Sequence, residues 1–502
     1  LSSIDAKHKH YTAQVAAWSK VRAFVAGGEA VRPYVQTLPG HDADTASAFR
    51  QRAYYLPAIA RSIDAFTGMI MNPEPVIQAP EALTEYLDDV SYDGEPASRM
   101  IGRTVREVVE IGRCAVVVDY PQAPGADQLS IADAERLGLR AYARFYTAED
   151  VIDWRMTTRG AERVLSFLKL RENFDAVSPT NEWAVLEVEQ VRVLDLVPGE
   201  GGLLKYRQRV YRKNNVTDER TKQTETIWAQ VGGDIFPLAD GKTLEEIPAV
   251  VFGPDSLEAS LIECPPVLEM VEISEAHLQN SALMEWTLLW VGNPTPVFRG
   301  IRLAEGESIK LGSSQGIVVD AEGGAEMLFL PADGVGAIST QMDRKEKHMA
   351  AVGARLLSDE TSSQIARDTA IIQRAGEHSV LANIATTVAE GWKRVIGYLA
   401  MWARATGDIG VTLNTDFIPQ GVTAGELSER IAAVQSGQLS SRDLFAWLQK
   451  RGEIRSDKSF DEHQDELDED GARVLELPPG TPGGPVVPPA VDDVADPDEQ
   501  AA

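Results

Sequence analysis

Between Ser363 and Thr406 apolar residues fall at Ile384, Val388, Trp392, Val395, Leu399 and Trp402, three or four positions apart. Arg367, Arg374, Glu377, Lys393 and Arg394 are dispersed among them, and the stretch holds no proline. This spacing predicts one helix with a buried stripe, roughly 60 Å long if continuous. Trp392 and Trp402 share that stripe with Val and Leu, so they read as core residues rather than platforms for stacking bases. The acidic, hydroxyl-rich run Ser358-Asp359-Glu360-Thr361-Ser362-Ser363 precedes the helix and offers several N-cap residues.

The same reading covers the rest of the chain. The first thirty or so residues predict an amphipathic helix ending near Gly27-Gly28, and a second helical pattern from Asp44 is interrupted at Pro57 and closed by Asn72-Pro73. A helix is expected over Ala97 to Ile111, followed by a short buried strand over Cys114 to Tyr120. From about Leu139 to Phe252 the pattern changes to alternation, which predicts antiparallel strands joined by hairpins. Helices are then expected over Val267–Val291 and Ala337–Leu357, bracketing an insert of strand-like runs and glycine turns. Two short helices follow Asn414, and the acidic, proline-rich tail from Ser456 has the composition of a disordered segment. The fold class expected is α+β, mainly helical.

Composition narrows the possibilities. The 502 residues suffice for two to four domains, and 44% hydrophobic with 25% charged residues is an ordinary globular balance. A net charge of −28 argues against a general nucleic-acid-coating protein, which needs cations for phosphate contacts. Cys114 and Cys264 allow neither a disulfide framework nor a cysteine-rich metal site. The opening LSSIDAKHKHYTAQ has no apolar core of the signal-peptide kind, and no apolar run reaches membrane-spanning length. The expectation is a soluble intracellular protein with no membrane partner.

Catalytic motifs fail on context. Gly312-Ser313-Ser314-Gln315-Gly316 matches the nucleophile-elbow pattern, but the strand-like Ile317-Val318-Val319 follows it where a helix is required. Gly241-Lys242-Thr243 resembles the end of a P-loop, yet Phe236 occupies the upstream glycine position. The seven histidines include no HExxH pair, and His8 and His10 lie in a basic run. Acidic pairs such as Asp88-Asp89 read as solvated surface. The expectation is no catalytic residue, no metal and no cofactor.

The assembled order is an α+β body, a helix, a small insert, a returning helix, a polar loop, a very long helix and a helical end. It resembles the portal proteins of tailed bacteriophages. Three stretches carry the likeness: FRQRAYYLPAIARSIDAFTGMIMNPEP from Phe49, EAHLQNSALMEWTLLWVGNPTPVFRG from Glu275, and DETSSQIARDTAIIQRAGEHSVLANIATTVAEGWKRVIGYLAMW from Asp359.

The resemblance implies a wing over 1–264, a first stem helix over 265–292, a clip over 293–333 and a second stem helix over 334–357. A tunnel loop at 358–363 would place Ser358, Asp359, Glu360, Thr361, Ser362 and Ser363 on a DNA channel. A long wing helix and return strand would cover 364–420, crown helices 421–455, and the tail 456–502. It implies a ring of about twelve subunits at a capsid vertex of the virion, assembled in the host cytoplasm. Double-stranded DNA would pass through it during packaging and ejection. The terminase large subunit, a head-tail adaptor, and major capsid and scaffolding proteins would dock on it. The packaging ATPase would belong to the terminase, and the portal would not be an enzyme.

The two stem helices differ in charge. The first carries Glu269, Glu272, Glu275 and Glu285 with no lysine or arginine, the second Arg344, Lys345, Lys347 and Arg355 against Asp343 and Glu346. Glu269, Glu272, Glu275, Arg344, Lys345 and Lys347 are therefore candidate subunit-interface residues, pairing within or between chains. Two other readings stand beside the portal: another head or connector component such as a minor capsid or adaptor protein, and a hydrolase using Ser314 or an acidic metal site.

Overall fold

The structure is a computed structural model. It describes residues 4–121, 133, 136, 138–178, 181–199, 203–217, 224–293, 295–300, 322–328, 333–357, 380–417, 430, 433–434, 438–450 and 458–463. Helix and strand are mixed, with helix the larger share. The chain divides into two units, Leu1–Phe417 and Ile418–Ala502.

The first unit begins with α1 (Lys9–Ala26), α2 (Ala43–Arg52) and α3 (Ala58–Ile70). The break expected at Pro57 is present, because its ring excludes a continuous helix and instead lets α3 start just after it. Strand β1 (Val76–Gln78) and the short helix α4 (Thr84–Asp88) lead to α5 (Ala97–Ile111), which has the expected bounds. Gly112 ends α5 at φ 81°, a left-handed position suited to glycine; a Cβ there would also meet the Cys264 carbonyl and Pro266 at 3.4 Å. Strand β2 (Cys114–Asp119) follows, buried at every position.

Strands β3 (Tyr142–Thr147), β4 (Val151–Arg159), β5 (Glu162–Ser178), β6 (Asn181–Pro198), β7 (Leu204–Thr217) and β8 (Thr224–Ile235) realise the predicted alternation. β4 to β8 form one antiparallel meander in chain order. β9 (Leu238–Ala239) and β10 (Lys242–Thr243) make a tight hairpin through Asp240 and Gly241, both at positive φ. Gly241-Lys242-Thr243 therefore opens a hairpin strand, not a phosphate-binding helix. Strand β11 (Ala249–Phe252) pairs with β2, giving the order β11-β2-β3.

Helix α6 (Leu268–Gly292), strands β12 (Thr295–Arg299) and β13 (Gly324–Leu328), and helix α7 (Asp333–Leu357) come next. Helix α8 (Val380–Ala403) and strand β14 (Gly410–Thr412) complete the unit. The first part of the long helix expected from Ser363, the run Ser358–Ser363 and the Gly312–Gly316 motif lie outside the described residues.

Helix α8 is the centre of the packing. Ile384, Val388, Trp392, Val395 and Leu399 are fully buried, and Trp402 at the end of the stripe is half-buried. The Trp392 indole donates to Thr104 Oγ1 of α5 at 3.1 Å. Gly391 lets the Phe252 ring of β11 lie directly on the helix: a Cβ there would sit 2.2 Å from the ring. After α8 the chain is tied back to its beginning. β14 pairs antiparallel with β1, and the Asn414 amide donates to the carbonyls of Met69 at 2.9 Å and Asn72 at 2.7 Å.

Two polar clusters join the layers. Arg22 of α1 bonds Glu110 at 2.6 Å, Glu149 at 3.0 Å and also Glu107, linking α1, α5 and the turn before β4. Between the meander and the three-stranded sheet, Glu172 accepts from Gln190 at 2.6 Å, Arg192 at 2.8 Å and the Tyr146 hydroxyl. Arg192 also bonds Asp119 at 3.2 Å, and Gln208 donates to the same carboxylate at 2.8 Å. Burial alone would raise the Glu172 pKa; the charges of Arg192 and Arg144 and these hydrogen bonds outweigh it and hold the carboxyl below its usual value.

In the second unit, α9 (Ser441–Lys450) has the expected position. Ser440 Oγ caps it by accepting from Asp443 N at 3.0 Å, and Phe445 packs on Phe460 with ring centroids 5.4 Å apart. Of the helix expected before it, Arg430, Ala433 and Val434 are described and helical. The tail beyond His463 lies outside the described residues.

Two outcomes follow from this packing. Gly391→Ala should cost about 1–3 kcal/mol in urea unfolding, because the Phe252 ring must move off α8. Glu172→Gln should cost about 3–5 kcal/mol at pH 7 by leaving Arg192 undercompensated in a buried site. The folded pKa of Glu172 is depressed, so its stabilisation is present above the usual value of 4.5 and is lost as pH falls through the folded pKa. The difference between variant and wild type in urea unfolding should therefore shrink in acid.

Candidate functional site

The feature that leaves the core is the hairpin of α6 and α7 with its terminal ribbon. Pro265 and Pro266 open α6, where missing N–H groups cost nothing. Its first half is embedded: Met270, Val271, Ser274, His277, Leu278, Ser281 and Ala282 are buried. On α7 the more enclosed positions are Val335, Ile338, Met342, Lys345, Met349 and Val352, spaced three and four apart, which is the stripe of a helix packed on one side. Gly353 faces Met270, with 3.6 Å between a Cβ there and the thioether methyl.

Polar contacts fix the root of the hairpin. Lys20 of α1 pairs with Glu275 at 2.8 Å, and Gln279 makes two hydrogen bonds with the Gln36 backbone, at 2.8 and 2.9 Å. Ser281 Oγ accepts from Tyr54 N at 2.8 Å. Between the two helices, His277 Nε2 lies 3.1 Å from Glu346 Oε1, and Lys345 Nζ donates to the Ala276 carbonyl at 2.7 Å. Burial holds the Lys345 ammonium below the ordinary lysine pKa.

Further out, contacts with the body thin. Trp286 rests on Phe49 and His41 of the α2 region, with centroids 5.7 and 5.3 Å apart. Beyond it Leu288 and Trp290 are exposed, and Asn293 closes the helix through its side-chain bond to the Leu289 carbonyl at 2.8 Å. The ribbon pairs Thr295 with Leu328 through to Arg299 with Gly324 and is pinned by an Arg299–Glu326 ion pair. Met327 and Leu328 on it are about half exposed, at 48% and 54%.

The charged residues singled out on these helices take different positions. Glu275 is held by Lys20, and Lys345 by a backbone carbonyl. Glu269 and Glu272 are exposed on α6, Arg344 and Lys347 on α7. Glu272, Arg344 and Lys347 have no bonding partner among the described residues. Ser358 to Ser363 lie outside the described residues. The roles of Lys20, Gln36, Tyr54 and Trp286 carry no sequence signal, since each partner is distant in the chain.

Elsewhere a cleft of about 600 Å³ lies between β4, β5, the segment after β10 and α8. Arg159, Arg163 and Arg394 line it together with Glu162, Glu246 and Glu258, and Arg163 pairs with Glu258 at 2.6 Å. Its charges cancel, and Arg159 also faces Glu162 at 3.5 Å. Among the described residues no group of three or more His, Cys, Asp or Glu is placed to hold a metal ion. No described helix is long and apolar enough to cross a membrane.

Residues 266–403 match a family described as a domain of unknown function, DUF4055. That span begins with α6 and ends with α8. No curated protein matches the chain. Among solved structures, a chain in one described as the virion of a native gene transfer agent particle is similar at 11% identity and a TM-score of 0.37. The match covers 86% of this chain and 98% of that one. A chain in the neck of a native gene transfer agent particle, computed with C12 symmetry, is similar at 10% identity and a TM-score of 0.36, with the same coverage.

Trp286→Ala should release the outer half of the hairpin while leaving the body folded. Hydrogen exchange of peptides over 283–293 is expected to rise at least tenfold, with peptides over 97–119 unchanged.

Proposed function

We propose that this chain is the ring-forming portal component of a tailed-phage-like particle, a conduit through which double-stranded DNA is packaged and ejected. The observation that carries the reading is the hairpin of α6 and α7. It is rooted by Lys20–Glu275 and Tyr54–Ser281, and it ends in a ribbon with exposed Met327 and Leu328. A long two-helix stalk with an apolar tip has little use in a free monomer, whereas side by side in a ring such stalks form a tube wall. The described order of a mixed body, α6, a ribbon, α7 and then α8 is compatible with the portal resemblance read in the sequence and supports the reading.

In this role the protein is structural and not catalytic. The run Ser358–Ser363 is the candidate channel segment that the resemblance implies. The net charge of −28 suits passage, since strong phosphate neutralisation would hold the DNA in place. The terminase motor and the tail adaptor dock on the ring, and the portal occupies one vertex of the capsid.

Purified full-length chain, imaged by negative stain and weighed by native mass spectrometry, should give a closed ring of about twelve copies with a central opening. A protein that stays monomeric at high concentration overturns the reading. A closed assembly without an opening favours an adaptor or minor capsid role instead.

A further inference from the structure

The α6–α7 hairpin carries its exposed charges in an ordered way. Helix α6 holds exposed Glu269 and Glu272 and has no lysine or arginine along its length. On α7, the side opposite the packing stripe presents Gly336, Thr340, Arg344, Lys347 and Ala351, all exposed. The exposed face of α7 opposite its packing stripe therefore carries base, with Asp343 at its edge and Glu346 turned to His277, and the exposed side of α6 carries acid. Among the described residues Glu272, Arg344 and Lys347 have no bonding partner, and the two helices are joined by His277–Glu346 and by Lys345 to the Ala276 carbonyl.

We infer that neighbouring copies meet in a head-to-tail manner, the exposed face of α7 on one copy packing against α6 of the next, with Glu272 seated against Lys347 and Arg344. This rests on the ring reading above and names the faces that form the ring.

Three physical points support it. The first is symmetry. A two-fold axis that set α6 against α6 or α7 against α7 would bring like charges together, whereas a heterologous contact of α7 on α6 joins acid to base at every interface of a ring. The second is height. The contacts Ala276–Lys345 and His277–Glu346 place Lys347 near the level of Ala276. Glu272 then lies one turn, about 6 Å, nearer the root, within the combined reach of the two side chains. Rotation about a ring axis preserves that level from copy to copy. The third is bulk. Gly336, Thr340 and Ala351 are small enough for a neighbouring helix to approach closely while the long cations flank the contact. Such pairs contribute chiefly to register and partner choice, and the apolar ends of the hairpins supply contact area.

The test uses the full-length chain with Glu272→Lys and, separately, with Arg344→Glu/Lys347→Glu. All three side chains are exposed, so both variants should keep the wild-type circular dichroism and melting temperature. By native mass spectrometry at low salt, each variant alone should need at least tenfold more protein than wild type to form rings. Mixed in equal amounts they should assemble as wild type does, because every interface in an alternating ring again joins acid to base. Rings that form normally from either variant, or a mixture that fails to recover, overturn the inference while leaving the ring reading in place. A wild-type chain that never forms rings overturns both.

Discussion

The burial of a single helix stripe organises the first unit. Ile384, Val388, Trp392, Val395 and Leu399 of α8 are all fully enclosed, and the elements that enclose them come from both ends of the unit's sequence. Helices α3 and α5 and strands β2 and β11 supply the walls, with the Phe252 ring resting where Gly391 has no side chain. Once α8 is seated, β14 is brought beside β1 and Asn414 onto the end of α3. The segment between β11 and α8 then becomes an excursion from a closed core. It leaves as α6 and returns as α7, so its root is fixed by the core and its far end is not.

The buried polar clusters act on that core as specificity devices more than as sources of net stability. Arg22 with Glu107, Glu110 and Glu149 sets the angle between α1 and α5, and Arg192 with Glu172 and Asp119 sets one sheet against the other. A buried ion pair roughly offsets its own desolvation, but a misplaced packing that left one partner alone would be strongly disfavoured. Arg113 works in the same sense: it is buried, stacks on Trp154 and donates to the Ala259 and Leu261 carbonyls just before α6. Burial lowers its pKa to about 10, so it stays charged at neutral pH. The approach to the hairpin is thus anchored by a cation that cannot leave without exposing two carbonyls.

Under the portal reading proposed above, the acidic balance and the hairpin lead to one physical picture. A conduit for DNA needs few cations along the path of the phosphates, and a ring needs faces that recognise a neighbour and reject their own kind. Placing glutamates on one helix and lysine and arginine on the other serves the second need while keeping the chain strongly negative as a whole.

The local elements were legible in the sequence because their causes are local. Apolar spacing marked α5 and the stripe of α8, β-branched residues between turn signals marked β2, alternation marked the meander, and Pro57 marked the gap between α2 and α3. An ion pair such as Lys20–Glu275, a three-residue pairing such as β1 with β14, and the meeting of Arg192 with Glu172 leave no such trace. Each depends on which distant segments arrive together, and the surface charge of a single helix is compatible with many partners. Sequence alone therefore determined where the helices and strands lie and that two oppositely charged helices bracket a small insert. Only the tertiary structure decided that Glu275 and Lys345 are held within the chain while Glu272, Arg344 and Lys347 are left facing outward, because packing, not periodicity, settles which charges meet.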